Sequence, residues 1–161
     1  MSERAAEGVV VGLISDTHGL VRAEVFEALA GVEFILHAGD VGDGVLDELR
    51  LIAPVQAVFG NTDPPGVPGL AREIVREVGG LVIHVSHGHE LGSPTPAKLL
   101  ERYAGDVLVY GHTHRQLVTR AGGRLVVNPG AAGARRFDLT PSVGRLTIAA
   151  GRADVEIVAL G

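Results

Sequence analysis

The chain has 161 residues, of which 46% are hydrophobic and 20% charged, values typical of a globular protein rather than a disordered one. It contains no cysteine, which excludes disulfides, thiolate-bound zinc and a cysteine nucleophile, so any metal would need His, Asp, Glu or Asn ligands. The formal net charge of -5 argues against general electrostatic binding of nucleic acid or anionic membranes.

The first third of the chain alternates strand and helix patterns. Continuous apolar runs predict buried strands at residues 9–14, 33–37 and 54–59. Apolar residues at helical spacing predict helices at residues 21–30 and 45–52. Strands that alternate with helices in this way form a parallel sheet with right-handed crossovers.

The rest of the chain is richer in short strands. An irregular, proline-rich loop precedes a hairpin pattern, in which Gly79-Gly80 separates residues 73–78 from residues 81–85. The later elements are a helix at 95–104 and strands at 106–110, 116–120, 125–128, 145–149 and 154–160. We therefore predict one α/β (α+β) domain over residues 1–161, built as a four-layer α-β-β-α sandwich of two facing mixed sheets.

Polar side chains cluster where the predicted strands end. They are Asp16, His18, Asp40, Asn61, His87, His112 and His114. Because ligands gather at the carboxyl ends of strands in open parallel sheets, we expect these side chains to converge. Their oxygen and nitrogen donors suit Mn, Fe, Ni or Zn, and so large a set fits two ions sharing a bridging carboxylate better than one ion.

Each of these turns also has a purely structural interpretation. Asp16-Thr17-His18 alone fits an Asp/Thr turn or a helix cap, and Gly39-Asp40 and Gly60-Asn61 are ordinary turn dipeptides. Paired histidines beside glycine, as in residues 87–89 and 111–114, are less common. Five such turns, each following an apolar strand, favour a metal centre over unrelated turns.

The order of these blocks resembles the calcineurin-like metallophosphoesterase superfamily, whose signature is Asp-x-His, Gly-Asp, Gly-Asn, His and Gly-His-x-His. The local sequences look like its small bacterial and archaeal phosphodiesterase branch over residues 9–130. The resemblance implies the sandwich fold and two metal sites bridged by Asp40. The ligands implied for the first site are Asp16, His18 and His114, and those for the second are Asn61, His87 and His112.

The chemistry of a metal pair agrees with this assignment. Two cations about 3.5–4 Å apart need a shared anion, and a water bridging them should lose a proton near neutral pH. The resulting hydroxide would attack phosphorus in line. We predict hydrolysis of small phosphodiesters, with two divalent ions as cofactors: manganese first, with nickel, iron or zinc as alternatives.

The general acid is less clearly indicated. Many superfamily members have a histidine after the Gly-Asn asparagine, but here that residue is Thr62. We therefore expect diesters with good leaving groups to react faster than alkyl monoesters. In an extended segment His89 would point away from His87, which favours a contact with a ligand residue or with the substrate. It is also the first alternative acid. Asp63 is expected either to orient a ligand or to serve only as a turn residue.

Other polar residues have simpler interpretations. His37 and His84 are expected to be hydrogen-bonded structural residues, and Asn128-Pro129-Gly130 resembles a turn of the same branch but fits an ordinary β-turn equally well. Surface arginines are usually only solvated. Those that are candidates to contact a substrate phosphate are Arg115, Arg135 and Arg136.

Several functions remain open on sequence grounds. A nuclease or cyclic-nucleotide phosphodiesterase would keep the same metal site, but no basic stripe or aromatic platform favours long nucleic acid. A protein-interaction scaffold would resemble the retromer subunit that shares this family's features but has lost a metal histidine. Here every ligand position is filled, which favours an enzyme.

Localisation and assembly follow from weaker signals. Residues 1–4 include an acidic residue, and the apolar run Val9–Ile14 is far shorter than the roughly 20 residues that span a bilayer, so we predict a cytoplasmic protein without a membrane partner. An apolar C-terminal strand at residues 155–160, if placed at a sheet edge, would allow a homo-oligomer by strand pairing.

Overall fold

The computed structural model describes residues 8–135 and 138–161. The strands are β1 (Val9–Ile14), β2 (Phe34–His37), β3 (Val55–Val58), β4 (Leu70–Ala71), β5 (Ile74–Val78), β6 (Leu81–Val85), β7 (Val107–Val109), β8 (Leu117–Ala121), β9 (Arg124–Asn128), β10 (Ser142–Ala149) and β11 (Arg152–Ala159). The helices are α1 (Ala23–Ala28), α2 (Val45–Leu49) and α3 (Pro96–Arg102), with a 3-10 turn at His89–Leu91.

These strands form two mixed sheets. The first has the order β11-β10-β1-β2-β3-β4, in which β1 to β4 are parallel, β10 is antiparallel to β1, and β11 is antiparallel to β10. The second has the order β5-β6-β7-β9-β8, with β6, β7 and β9 parallel and an antiparallel strand at each edge. Loops that carry polar residues follow the carboxyl ends of β1, β2 and β3 in the first sheet and of β6, β7 and β9 in the second.

Successive side chains of a strand point to opposite faces of its sheet, and this alternation produces the layers. Val11 and Leu13 of β1 pack in one cluster with side chains of the second sheet, whereas Ile14 packs with residues of α1 and α2. On the outer face of the second sheet, Leu108 and Tyr110 pack with residues of α3. The predicted four-layer sandwich is confirmed, with an aliphatic core between the sheets and helices on both outer faces.

Several element boundaries differ from the sequence prediction. All three helices are shorter than predicted; α3 starts at Pro96 because the Thr95 hydroxyl accepts a hydrogen bond from the Lys98 N–H, 3.2 Å. Strand β10 begins three residues early, since its register with β11 runs unbroken from Ser142 to Ala149. The short strand β4, within a stretch without a strand pattern, pairs with β3 over two residues.

Two sequence predictions concern surfaces of this fold. Strand β11 does lie at an edge of the first sheet, and its pairing with a second copy stays a prediction. No helix within the described residues has the length and apolar character needed to cross a membrane. The N-terminal residues 1–4 lie outside the described part of the chain.

Candidate metal centre

The predicted metal ligands converge where the carboxyl ends of parallel strands from both sheets meet. Asp16 and His18 follow β1, and backbone hydrogen bonds of 2.9 Å join them to Gly39 and Asp40 after β2. The two sheets are joined at the same place. His87 of the second sheet hydrogen-bonds the Ala38 carbonyl of the first through Nδ1, 2.8 Å, so these loops form one rigid unit.

The backbone at this centre is strained. Five of the predicted ligands have positive φ angles, a conformation that costs about 1–3 kcal/mol for residues other than glycine. The angles are 53° for Asp16, 47° for His18, 55° for Asp40, 72° for His112 and 63° for His114. Among the described non-glycine residues, Ala150 alone shares this feature. Strain concentrated at one cluster of polar side chains is typical of a functional site.

Two glycines make room for the carboxylates. A Cβ at Gly60 would collide with the carboxylate and backbone of Asp40, and a Cβ at Gly111 would collide with the hydroxyl of Ser15 and lie 2.6 Å from Asp16 Oδ2. The glycine that precedes Asn61 and the one that precedes His112 are therefore required by close packing around the acidic residues.

Asp16 is at the floor of the first donor group. Its Oδ2 accepts hydrogen bonds from the Ser15 hydroxyl, 2.6 Å, and the His112 N–H, 3.1 Å, but its buried Oδ1 has no hydrogen-bond partner. Together with His18, Asp40 and His114 it offers donor atoms that all lie within 4.8 Å of one another. An unpartnered buried carboxylate oxygen facing two histidines fits a cation site, because such an oxygen is costly to leave without a positive partner.

Asp40 lies between the two predicted donor groups. Its Oδ1 accepts a hydrogen bond from the Thr62 N–H, 2.9 Å. Its Oδ2 is 3.7 Å from His18 Nε2 on one side and 3.3 Å from His87 Nε2 on the other. This is the position required of a bridging ligand. Thr62, which cannot serve as a general acid, thus helps to hold the Asp40 carboxylate in place through its backbone.

The second donor group is centred on the Asn61 side-chain oxygen. That Oδ1 lies 3.1 Å from His87 Nε2 and 3.1 Å from His112 Nδ1. His87 Nδ1 must carry its proton, because the Ala38 carbonyl oxygen to which it bonds can only accept. Nε2 is then the nitrogen available to a metal, the arrangement that commonly orients histidine ligands.

Burial and charge set the protonation of these groups. Burial raises the pKa of Asp40, but hydrogen bonds from His87 and Thr62 outweigh it and hold the pKa well below its usual range. Burial lowers the pKa of His87, whereas Asp40 and Asp16 raise it, and the net result is a raised pKa. Burial, together with the charge of His87, lowers the pKa of His112. A cation at this centre would therefore compete with a proton on His87.

Burial also divides the centre into a floor and a mouth. Asp16, Asp40 and His87 are buried at the floor. His18 and Asn61 are exposed at the mouth. The donors are thus fixed from below while one side remains open to solvent and to a substrate.

His37 and Thr17 support the centre from beneath. The Gly39 N–H donates to His37 Nδ1, 3.0 Å, so the proton is on Nε2, which donates to the Thr17 hydroxyl, 3.0 Å. That hydroxyl in turn donates to the Val41 carbonyl, 2.7 Å. Burial lowers the pKa of His37 to about 4, which keeps the ring neutral. The predicted structural role of His37 is confirmed, but the role of Thr17 has no signal beyond its place between Asp16 and His18.

Asp63 and Asn128 fix neighbouring loops. The Asp63 carboxylate accepts hydrogen bonds from the N–H groups of Val41, Gly42 and Gly60, at 2.8–3.1 Å. The fully buried Asn128 side chain donates to the Gly111 carbonyl, 3.2 Å, and to the Thr113 hydroxyl, 3.0 Å. These bonds hold the segments that carry Asp40, Asn61 and His112, which supports a positioning role for Asp63 rather than contact with substrate.

His89 lies beside the second donor group. The prediction that it belongs to an extended segment is wrong, because Gly88 has a φ of 98° and His89 starts a 3-10 turn. Its ring centroid is consequently 5.2 Å from that of His87 and 6.4 Å from that of His112. Its buried Nδ1 has no hydrogen-bond partner.

The remaining candidates from the sequence are His84 and three arginines. His84 is buried and bonds Glu73, 2.8 Å, as expected of a structural histidine. Arg115 and Arg135 are exposed, and Arg136 lies outside the described residues.

Comparison with known proteins gives matches along most of the chain. A family model described as the calcineurin-like phosphoesterase superfamily domain matches residues 9–151. A probable metallophosphoesterase from Methanothermobacter thermautotrophicus is 35% identical over 164 residues, covering 95% of this chain and 94% of that relative. A phosphodiesterase from Methanocaldococcus jannaschii is 30% identical over 141 residues, covering 74% of this chain and 82% of that relative. The solved structure of vacuolar protein sorting 29 from Cryptosporidium parvum has a TM-score of 0.79 and 25% identity, covering 94% of this chain and 97% of that chain.

Proposed function

Because the chain belongs to the calcineurin-like phosphoesterase superfamily, as its motifs predicted, we propose that it is a metal-dependent phosphodiesterase that hydrolyses small phosphodiesters. The family is metal-dependent, and the donor cluster around Asp16 is a candidate metal-binding site. The observation that carries the proposal is the position of Asp40 Oδ2, between His18 and His87. A carboxylate oxygen placed in this way can serve two cations at once.

We assign the donors to two divalent ions. The first site would use Asp16, His18 and His114, and the second would use Asn61, His87 and His112, with Asp40 shared. When bound, the two cations would lower the pKa of a water molecule and offset negative charge on the phosphoryl oxygens. Imidazole, carboxylate and amide donors suit manganese, with nickel, iron and zinc as alternatives.

Residues beside the two donor groups would bind the substrate, and one of them, His89, would transfer the proton. Hydrolysis forms a bond from phosphorus to a water oxygen and breaks the bond from phosphorus to the leaving oxygen. We propose that His89 donates a proton to that leaving oxygen, because its half-buried ring lies beside the second donor group. Since Nδ1 is buried and lies 3.9 Å from a Glu90 carboxylate oxygen, Nε2 is the nitrogen that would face the substrate. Thr62, which follows Asn61, supplies no acid, so protonation of the leaving oxygen depends on His89 alone. Aryl leaving groups depend least on a proton donor, so aryl diesters should still react faster than alkyl monoesters.

A protein-interaction scaffold is the second candidate, favoured by the similarity to vacuolar protein sorting 29. Similarity of fold does not decide function, which depends on the site itself. The complete set of donors in this chain, several of them held in strained conformations, favours the enzyme. A scaffold would gain nothing from maintaining that strain.

The test is hydrolysis of bis(4-nitrophenyl) phosphate by protein stripped of metal and then supplied with Mn, Ni, Zn or Mg. We expect activity that depends on added metal. Asp40→Asn should lower kcat by on the order of 10²–10³-fold, because the shared negative charge is lost. Asp47→Asn is the matched control, since among the described residues this exposed carboxylate has one ion-pair partner, Arg50, which follows α2 and lies 2.9 Å away.

Two results would contradict the proposal. The first is no metal-dependent hydrolysis by the correctly folded protein, which would favour the scaffold. The second is equal activity of Asp40→Asn and Asp47→Asn. For His89, the informative comparison is between leaving groups: His89→Asn should slow alkyl diesters more than aryl diesters, by up to about 10²–10⁴-fold.

A further inference from the structure

A cavity of about 640 Å³ adjoins the candidate metal centre, and His89 stands at the junction between them. The His89 ring lies 5.2 Å from that of His87, at the centre, and 6.4 Å from that of Phe59, which lines the cavity. Small-molecule sites typically have volumes of about 300–1,000 Å³. The cavity therefore has room for a substantial part of a small substrate.

Hydrogen bonds fix the walls of this cavity. The Tyr103 hydroxyl donates to Glu90 Oε2, 2.6 Å, and the other oxygen of Glu90 accepts from the Gly88 N–H, 3.0 Å. Glu73 bonds His84, 2.8 Å, and the His84 ring stacks on Tyr103 with 4.1 Å between centroids. These contacts tie the turn that carries His89 to the end of α3, so the cavity is preformed.

The charged side chains that line the cavity differ in whether they are already paired with another charged or polar group of the protein. Both carboxylates in the wall, Glu73 and Glu90, already accept hydrogen bonds from protein groups. Arg72, which follows β4, and Arg102, at the end of α3, also line the cavity. Neither guanidinium forms an ion pair with any carboxylate of the described residues. The Arg102 guanidinium lies over the Tyr103 ring, 5.8 Å from its centroid. Planar guanidinium groups that are not paired with a carboxylate suit an anionic ligand.

The inference rests on the proposed phosphodiesterase activity and identifies its substrate class. We propose that the cavity binds the leaving group, and that Arg72 and Arg102 select leaving groups that carry a second negative charge. A proton donor must face the leaving oxygen, so the leaving group lies on the His89 side, where the cavity opens. Phe59 and Tyr103 line the same space and present aromatic faces to a ring of that group.

The test compares two chromogenic substrates that differ in one charge: methyl 4-nitrophenyl phosphate and methyl 3-carboxy-4-nitrophenyl phosphate, at low ionic strength because exposed charges are screened by salt. The measured quantity is the ratio of kcat/KM for the carboxylated substrate to that for the plain one. We expect a ratio of at least threefold and up to about tenfold for the natural sequence, and a lower ratio for Arg72→Gln and for Arg102→Gln.

The ratio is internal to each protein, so partial misfolding of a variant cancels. Arg50→Gln is the matched control: Arg50 is exposed, pairs with Asp47 and does not line the cavity, so its replacement should leave the ratio unchanged. A ratio near one for the natural sequence, or a ratio that both variants retain, overturns the assignment of the cavity while leaving the phosphodiesterase activity standing. Hydrolysis of neither substrate overturns both.

Discussion

Replacing His37 by Gln should make the free energy of unfolding less dependent on pH between pH 7 and pH 5. In the folded protein burial lowers the pKa of His37 from 6.5 to about 4. Between about pH 6.5 and pH 4, His37 is therefore protonated in the unfolded chain but not in the folded chain. Stability supplied by the neutral ring is present above that pH and is lost as the pH falls from 6.5 towards 4.

The size of the effect follows from the two pKa values. Between pH 7 and pH 5 this one residue should reduce the free energy of unfolding by about 2 kcal/mol, since each pKa unit corresponds to about 1.4 kcal/mol. His37→Gln cannot titrate. It should also be less stable at pH 7 by about 1–3 kcal/mol, because the buried Gly39 N–H loses its acceptor.

The assay is urea unfolding of metal-stripped protein at pH 7, 6 and 5, for the natural sequence and for His37→Gln. Removing metal prevents pH-dependent metal binding from contributing. Groups that titrate alike in both proteins cancel in the difference, which should shrink by about 2 kcal/mol from pH 7 to pH 5. Parallel profiles, or a difference that grows towards acid, would refute the idea that His37 is held neutral beneath the centre.

Three further outcomes are expected. Gly60→Ala should weaken Mn binding at least about tenfold in titration calorimetry with the far-UV spectrum unchanged, because the added methyl displaces the Asp40 carboxylate. Asn128→Ala should lower the free energy of unfolding by about 1–3 kcal/mol in denaturant titrations, since the Gly111 carbonyl loses a buried donor. Mn affinity should rise with pH and binding should release protons, detectable as buffer-dependent heats, because the raised pKa of His87 makes a proton the competitor.

Strand patterns, and with them most of the architecture, could be predicted from the sequence. Continuous, β-branched aliphatic runs such as Val9–Ile14 are typical of a buried strand, and this run forms β1. Helix ends are less predictable, because apolar spacing continues past the last helical residue: Ile52 keeps the spacing of α2, which ends at Leu49. The single domain, the cytoplasmic location and pairing through β11 stay predictions.

The convergence of the predicted ligands could be anticipated, because each follows a strand and the fold brings strand ends together; their role as ligands stays a prediction. The supporting residues could not, because their contacts depend on packing between distant segments. Nothing local to Glu90 or Tyr103 indicates the hydrogen bond that joins them. The prediction of an extended segment at His89 fails because Gly88 turns the chain back, and this conformation has no sequence signal beyond the glycine itself.

Anomalous diffraction from crystals grown with Mn²⁺ tests the dinuclear centre most directly. We expect two peaks, one within coordinating distance of Asp16, His18 and His114, the other of Asn61, His87 and His112, with the Asp40 carboxylate touching both. A single peak, or two peaks away from these side chains, would contradict it.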